Sequence, residues 1–512
     1  MSVIENVDVC VVGSGFGGGT VTLRAAQSGA SVVVLEQGKR YDNTDGAVAF
    51  RQTQSDFDYL LELFNLSVGF DAEANAASVY VGGKGLGGGS LVYSMVSLRA
   101  PGFVFEQPAW PDGFDRAFLD PRYARAEEQL GVVQLKWTGT PGVDDWLVSG
   151  KRDAAFALSC ERAGVSAQPV PVAINNDCAN LGWCSTGCVR HGKNSVDLRY
   201  INPAEALGAT VRTGVKVASV GQAGRADGRR WRVHTDQGDV LADNVVLSGG
   251  AVGSPAVLLA SVQAQTLWGG LCGQAGHNLS RGGDTVIPVV LAEDLGLDDM
   301  EMLPGKIIGS CSFQYLFEPP PGFGDDWQPF ILQPMMILPM ISAMMVADPD
   351  GRTPDGDHRL YGEGQKHLMR HWGDRLLHLG VMGMDGMDGE VTVAAGQAFV
   401  NFRTSATTRA MFAAAGAAAH HIFDRGVGGR ALPGFHEVRP DTVAIHPLGS
   451  MRMADSAAVG ATDRHGRVFR ADGTVHEGLY VADASLMSSP IAVNTSLTAA
   501  ALAEVVAEHL TA

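Results

Sequence analysis

Gly13, Gly15 and Gly18 punctuate the stretch VDVCVVGSGFGGGT, Val7 to Thr20, and constrain this chain more than any other feature. A continuous apolar run leads into them. An amphipathic helical pattern, Val21–Gln27, follows, and a second apolar run, Ser31–Leu35, ends at Glu36. This order predicts a βαβ unit for a dinucleotide. The first glycine allows a tight turn, the second lets backbone approach a pyrophosphate, and the third lets the helix pack on the strand. The helix N-terminus then faces the phosphate charge. Glu36 stands where a carboxylate accepts hydrogen bonds from a ribose diol and disfavours a 2′-phosphate. The unit implies an adenine dinucleotide without deciding between FAD and NAD.

The rest of the chain is long enough to bury a large core in two structural regions, 512 residues in all. Hydrophobic residues at 46% and charged ones at 18% read as globular. The net charge of −17 argues against nucleic acid or an anionic membrane as partner. The opening MSVIENVDV has no basic region and no cleavable apolar segment, and no apolar run reaches membrane-spanning length uninterrupted. A cytoplasmic protein is therefore expected. Seven cysteines argue against a disulfide framework. Three of them, Cys178, Cys184 and Cys188, could begin a metal site with His191. No CxxC pair occurs, and packed thiols are the expectation.

A glycine-rich segment, GGKGLGGGSLVY, runs from Gly82 to Tyr93, where missing side chains let main-chain amides approach an anion or a ring edge. Short alternating strands fill Ala209–Val262, and DNVVLSGGAVGSPAVLLAS reads as a second strand–turn–helix element. A long insert, about Val286 to Asp441, carries strand-like HLGVMGM and EVTV and an alanine-rich helix over Ala406–Phe423. Methionines crowd Pro329–Ala347 and recur at Met382, Met384 and Met387, predicting either core packing or the wall of an apolar cavity. Pro334 and Pro339 are expected to break regular structure there. A last strand, GLYVADASL, and a helix, TSLTAAALAEVVAEHL, close the chain.

The glycine start, the Gly82–Tyr93 loop, GAVGSPAVLLAS, and the C-terminal HPLGSMRM, GLYVADASLM and VNTSLTAAALAE together resemble glucose–methanol–choline (GMC) oxidoreductases, in particular the cholesterol-oxidase-like branch. The resemblance implies FAD rather than NAD. It implies an α/β fold: a Rossmann-like FAD-binding domain over residues 1–42, 78–110, 195–285 and 442–512. An inserted α+β substrate domain built on an antiparallel sheet takes 43–77, 111–194 and 286–441. Departures touch the substrate more than the fold. Tyr93 follows GGGSLV where asparagine is usual, Ser261 precedes Val262 instead of glycine, and HPLGS and VNT replace HPLGG and VNP. The branch's active-site glutamate aligns only loosely, near Asp374.

By the same resemblance the cofactor is expected to meet Gly13, Gly15, Phe16, Gly18, Glu36 and Gln37 at the first loop. At the second loop the set is Gly85, Gly88, Gly89, Ser90, Val92 and Tyr93. Val217, Gly250, Asp483, Ala484, Asn494, Thr495 and Ser496 complete it. No histidine lies between Gly82 and Leu98, where some members attach their flavin, so non-covalent FAD is expected. His446 is the expected catalytic base: a neutral imidazole accepts the proton of an alcohol while hydride leaves for flavin N5. Asn494, 48 positions on, is expected beside it as a non-titrating donor, with Thr495 or Ser496 capping the following helix. Asp483 is expected either at the ribityl–pyrophosphate region or in a strand-end turn. The implied activity is oxidation of a CH–OH group in an apolar cyclic alcohol, steroid-like or a natural product, with oxygen or another acceptor as second partner. A flavin-dependent isomerase or tailoring enzyme, an oxidase of a sugar or small alcohol, and a flavin-binding protein without turnover are the alternatives.

Overall fold

The computed structural model describes residues 2–41, 57–71, 76–140, 142–296, 305–324, 326–337, 342, 346, 366, 370, 372–438 and 442–512. Its centre is an eight-stranded sheet. Along the main path the order is Arg467–Phe469, Val475–Val481, Gly238–Leu247, Val3–Val12, Val32–Glu36 and Thr210–Thr213. Val3–Val12 pairs in parallel with both neighbours, Val12 standing between Leu247 and Leu35. Buried on both faces, these strands are near-continuous valine and leucine, as parallel sheets require.

The helix Phe16–Gln27 starts one turn earlier than the amphipathic pattern showed, because its first residues are the glycines of the loop. It packs against the C-terminal helix Ser496–Leu510, and the bidentate contact from Arg24 to the buried Glu504 locks the two together. The alanine-rich helix Ala406–Phe423 runs over the residues its sequence indicated, capped by Ser405 accepting from the Thr408 amide.

A four-stranded antiparallel sheet lies in the insert, in the order Phe330–Met335, Leu376–Gly383, Thr285–Val290 and Arg430–Ala431. Its apolar face packs on the alanine-rich helix. Pro334 does not break this structure. It sits within the edge strand, opposite Leu379, where a missing N–H costs no ladder bond. Pro339 and most of residues 338–347 lie outside the described residues. A three-stranded sheet of Phe64–Asp71, Ala76–Gly83 and Thr442–Ala444 leads from the glycine-rich loop to the segment bearing His446. Among the described residues no helix is long and apolar enough to cross a membrane.

Candidate active site

The ends of the central strands open onto one cavity of 1580 Å³, larger than the roughly 300–1,000 Å³ of drug-sized ligand pockets. Its floor is made by the two glycine loops packed backbone to backbone. A Cβ on Gly88 would lie 2.8 Å from the Cα of Gly15, and Gly88 holds φ +54°. Gly15 and Gly89 face the cavity, and a Cβ on either would meet nothing within 4 Å. Any side chain there would stand in the cavity.

Most of the expected cofactor residues line this space: Gly13, Gly15, Phe16, Glu36, Gln37, Gly88, Gly89, Val92, Tyr93, Val217, Gly250, Asp483, Ala484, Asn494, Thr495 and Ser496. Three stand behind the wall. Gly18 packs on Gly13, where a Cβ would fall 2.1 Å from the Gly13 carbonyl oxygen. Gly85 turns the chain at φ +148° against Tyr41 and Leu91. Ser90 donates to the Gly87 carbonyl and accepts from the Val196 amide.

At one end of the cavity Glu36 is buried. Its oxygens accept from Ser14 Oγ at 2.6 Å and the Gly38 amide at 2.8 Å. Burial pushes its pKa up and these donors oppose that. The backbone of Ser14 and Gly85 also favours the ionised form, so the carboxylate is held by both glycine loops at the cavity wall. Ser14 also accepts from the Gly87 amide, tying both loops to the carboxylate; the sequence reading missed it. Along the middle, Tyr93 stacks edge-on to Phe16 with centroids 5.1 Å apart and donates to the Asn194 carbonyl. Tyr80, also missed, lines the cavity near Asp483 with its phenol pushed up to about 12 by burial.

Asp483 belongs to the strand-end turn. One oxygen accepts from the Gly250 amide and Ser254 Oγ, the other from the amide and hydroxyl of Ser485. All its acceptor positions are taken, so its carboxylate is spent on joining the last strand to the second glycine turn. Neither expected cap is present at the C-terminal helix. Thr495 makes no side-chain cap bond, and Ser496 donates to the Val96 carbonyl instead. Thr495 is helical in backbone, φ −78° and ψ −19°, which turns its hydroxyl away from the first-turn amides. The positive end of this helix faces the cavity and favours negative charge there.

At the far end His446 Nδ1 lies 2.7 Å from Asp284 Oδ1, while Asp284 Oδ2 accepts from the amides of Ile445 and His446. Two consecutive glycines in the left-handed region, Gly282 at φ +78° and Gly283 at φ +72°, fold Asp284 under the imidazole. A Cβ on Gly282 would come within 2.7 Å of the His446 carbonyl oxygen. Burial alone would lower the His446 pKa, but the Asp284 charge and hydrogen bond together outweigh it and hold the imidazole above its ordinary value. With Nδ1–H donating to Asp284, Nε2 carries the lone pair. Asn494 Nδ2 is 3.4 Å from it, and Gln333 Nε2 donates to Asn494 Oδ1 at 3.1 Å. Ala492, two residues before this asparagine, holds φ +58°, backbone strain of the kind that collects at functional sites. Asp284 and Gln333 were not singled out in the sequence. The one local sign was Gly-Gly-Asp opening a strand-like run.

Of the methionines, Met335 and Met382 line the cavity; Met384 is buried in the core and Met387 packs against it. Asp374 is exposed on a turn and does not line the cavity. All seven cysteines are free thiols, and among the described residues no group of three or more His, Cys, Asp or Glu is placed to hold a metal.

A parallel sheet whose first glycine loop floors a large cavity, with a His–Asp pair at its end, defines a dinucleotide-dependent oxidoreductase. Two family models, both described as GMC oxidoreductase, match residues 2–281 and 388–503. The chain belongs to the GMC oxidoreductase family and is an FAD-dependent enzyme. An uncharacterized GMC-type oxidoreductase of Mycobacterium tuberculosis is 28% identical over 99% of this chain and 76% of its own length. A cholesterol oxidase of Acinetobacter baumannii is 26% identical over 60% of this chain and 59% of its own. The fold is shared with pyridoxine 4-oxidase from Mesorbium loti, TM-score 0.66, 16% identity, covering 98% of each chain. Formate oxidase from Aspergillus oryzae gives TM-score 0.67 and 16% identity, over 100% of this chain and 99% of its own.

Proposed function

We propose that the chain oxidises the CH–OH group of an apolar, cyclic alcohol, with His446 as base and Asn494 as its partner. The observation that carries this is the 2.7 Å contact of Asp284 with His446 Nδ1, which leaves Nε2 as the basic nitrogen. The residues fit FAD: bare glycine backbone on the cavity floor, a carboxylate at Glu36 lining the cavity, and a helix N-terminus beneath Asn494. When bound, FAD supplies the acceptor for the carbinol hydride, with oxygen or another oxidant restoring it. His446 Nε2 accepts the hydroxyl proton, and Asp284 stabilises the imidazolium that results. Asn494 Nδ2 donates to the same oxygen without titrating. The apolar substrate is supported by Ile308, Met335, Val381, Met382 and Phe412 on the cavity wall.

The same reading assigns residues 1–42, 78–110, 195–285 and 442–512 to the FAD-binding part. In its support, every strand of the eight-stranded sheet falls within the first, third and fourth of these stretches. The junction at 42/43 lies outside the described residues. The acidic balance supports a cytoplasmic location. The flavin is read as non-covalent, and acid should release it into the supernatant; flavin retained by the precipitate would contradict this.

The test of function is anaerobic stopped-flow reduction of the holoenzyme by cholesterol, 1-dodecanol and glucose. Bleaching by cholesterol but not glucose is expected. His446→Ala should slow it by about 10²–10⁴-fold with FAD still bound. Reduction at the wild-type rate would overturn the mechanism.

A further inference from the structure

Gln333 is an isolated amide in an otherwise apolar edge strand, FILQPM, and it is fully buried. A buried amide is costly unless its polar atoms find partners. Gln333 shares a strand face with Met335, two positions on, which lines the cavity. Opposite it stands Gly380, where a Cβ would fall 2.8 Å from Met335 Sδ, so the methionine fills the space a side chain would take. Gln333 Nε2 donates one N–H to Asn494 Oδ1, 3.1 Å away, and this is its side chain's firm tie, because Oε1 has no hydrogen-bond partner among the described residues. The Cys311 thiol is another polar neighbour.

An asparagine amide has two edges of similar shape, one accepting and one donating. Left alone beside His446, it could present either. The donor from Gln333 fixes Oδ1 on the side away from the imidazole and so turns Nδ2 toward His446 Nε2 and the cavity. We propose that Gln333 is a positioning residue that sets the orientation of the Asn494 amide. This rests on the reading of Asn494 given above. It predicts that the group at position 333 must donate, so the site needs a hydrogen there and not merely volume.

Three measurements on the FAD-loaded enzyme test it. A neutron crystal structure of Gln333→Leu, which distinguishes amide nitrogen from oxygen, should show Asn494 turned so that Nδ2 no longer faces His446. An unmoved asparagine would overturn the proposal whatever the substrate. Flavin reduction by cholesterol or 1-dodecanol should fall by about ten- to a hundredfold in Gln333→Leu. Adding Gln333→Leu to Asn494→Ala should cost nothing more, because the glutamine acts only through the asparagine. Multiplying effects would overturn the proposal. Gln333→Glu, close in shape, separates donating from filling. Protonated, the new carboxyl donates and restores the rate; ionised, it can only accept. Its rate, divided by that of the wild type at each pH, should fall from near the wild-type level toward that of Gln333→Leu as pH rises; His446, Asp284 and Cys311 are the other titratable groups facing this site. A ratio that rises with pH, or stays flat at the level of Gln333→Leu, would overturn the proposal. If Asn494→Ala reduces normally while Gln333→Leu still turns the asparagine, it is the role given to Asn494 that fails.

Discussion

Asp284→Asn tests the centre of the site with a change of one atom. The carboxylate serves three donors: His446 Nδ1 on one oxygen, and the amides of Ile445 and His446 on the other. An amide has one accepting oxygen, so it can keep the backbone pair or the imidazole but not both. The backbone pair holds the turn, and the imidazole should lose. A hydrogen bond to a charged group contributes about 1.5–3 kcal/mol, and 1.36 kcal/mol is tenfold in rate, so flavin reduction should slow by roughly ten- to 150-fold. The pH profile moves as well. Asp284 is what raises the His446 pKa, while burial lowers it. Removing the charge leaves burial, so the acid limb of the reduction rate should shift to lower pH. The sign for stability follows from the same shift. A histidine raised above 6.5 in the folded state contributes stability fully below that value, and loses it as pH rises through the folded pKa. The variant should therefore be destabilised more at pH 5 than at pH 9. The assay is anaerobic stopped-flow across pH, with thermal unfolding alongside. An unchanged rate with an unmoved acid limb would refute the role of Asp284.

Gly15→Leu should fold and lose FAD. Gly15 has φ −70°, open to any residue, and nothing lies within 4 Å of its Cβ, so apo stability should change by about 0.5 kcal/mol or less while the side chain fills the cofactor space. Gly13→Ala should instead damage folding, since φ +96° and a contact at 2.4 Å with the Ser248 carbonyl oxygen forbid the methyl; expression and melting temperature separate the two. Glu36→Ala should weaken FAD retention by roughly ten- to 150-fold, read by equilibrium dialysis, if the carboxylate meets the ribose. Unchanged retention would place the ribose elsewhere.

What the sequence made legible were features in which backbone need dictates residue type. A positive φ or a contact below 3 Å demands glycine, so Gly13, Gly18 and Gly88 could be read from the chain alone. His446 and Asn494 came from motifs whose neighbours are local. Their supports did not. Asp284 lies 162 positions from His446, and Gln333 lies 161 from Asn494. Neither pairing has a local pattern, because strand register brings them together. Asp483 kept two readings open because a strand-end carboxylate can serve a turn or a ligand, and only the count of its donors decides. The helix caps were misjudged for a related reason. Thr495 and Ser496 have the right chemistry, but the chain enters the helix already helical in backbone, and the Val96 carbonyl claims the serine.

The register of the antiparallel sheet sets where the partners of His446 and Asn494 stand. Asp284 immediately precedes the strand Thr285–Val290, and Gln333 lies in Phe330–Met335. Both strands pair with Leu376–Gly383, Thr285 opposite Val381 and Gln333 opposite Gly380. The partners of His446 and Asn494 are thus referred to adjacent residues of one strand. A slip of one residue would turn Gln333 to the other face and remove its bond to Asn494. One sheet therefore holds the imidazole from one side, through the residue that precedes Thr285–Val290, and the asparagine from the other, through Phe330–Met335.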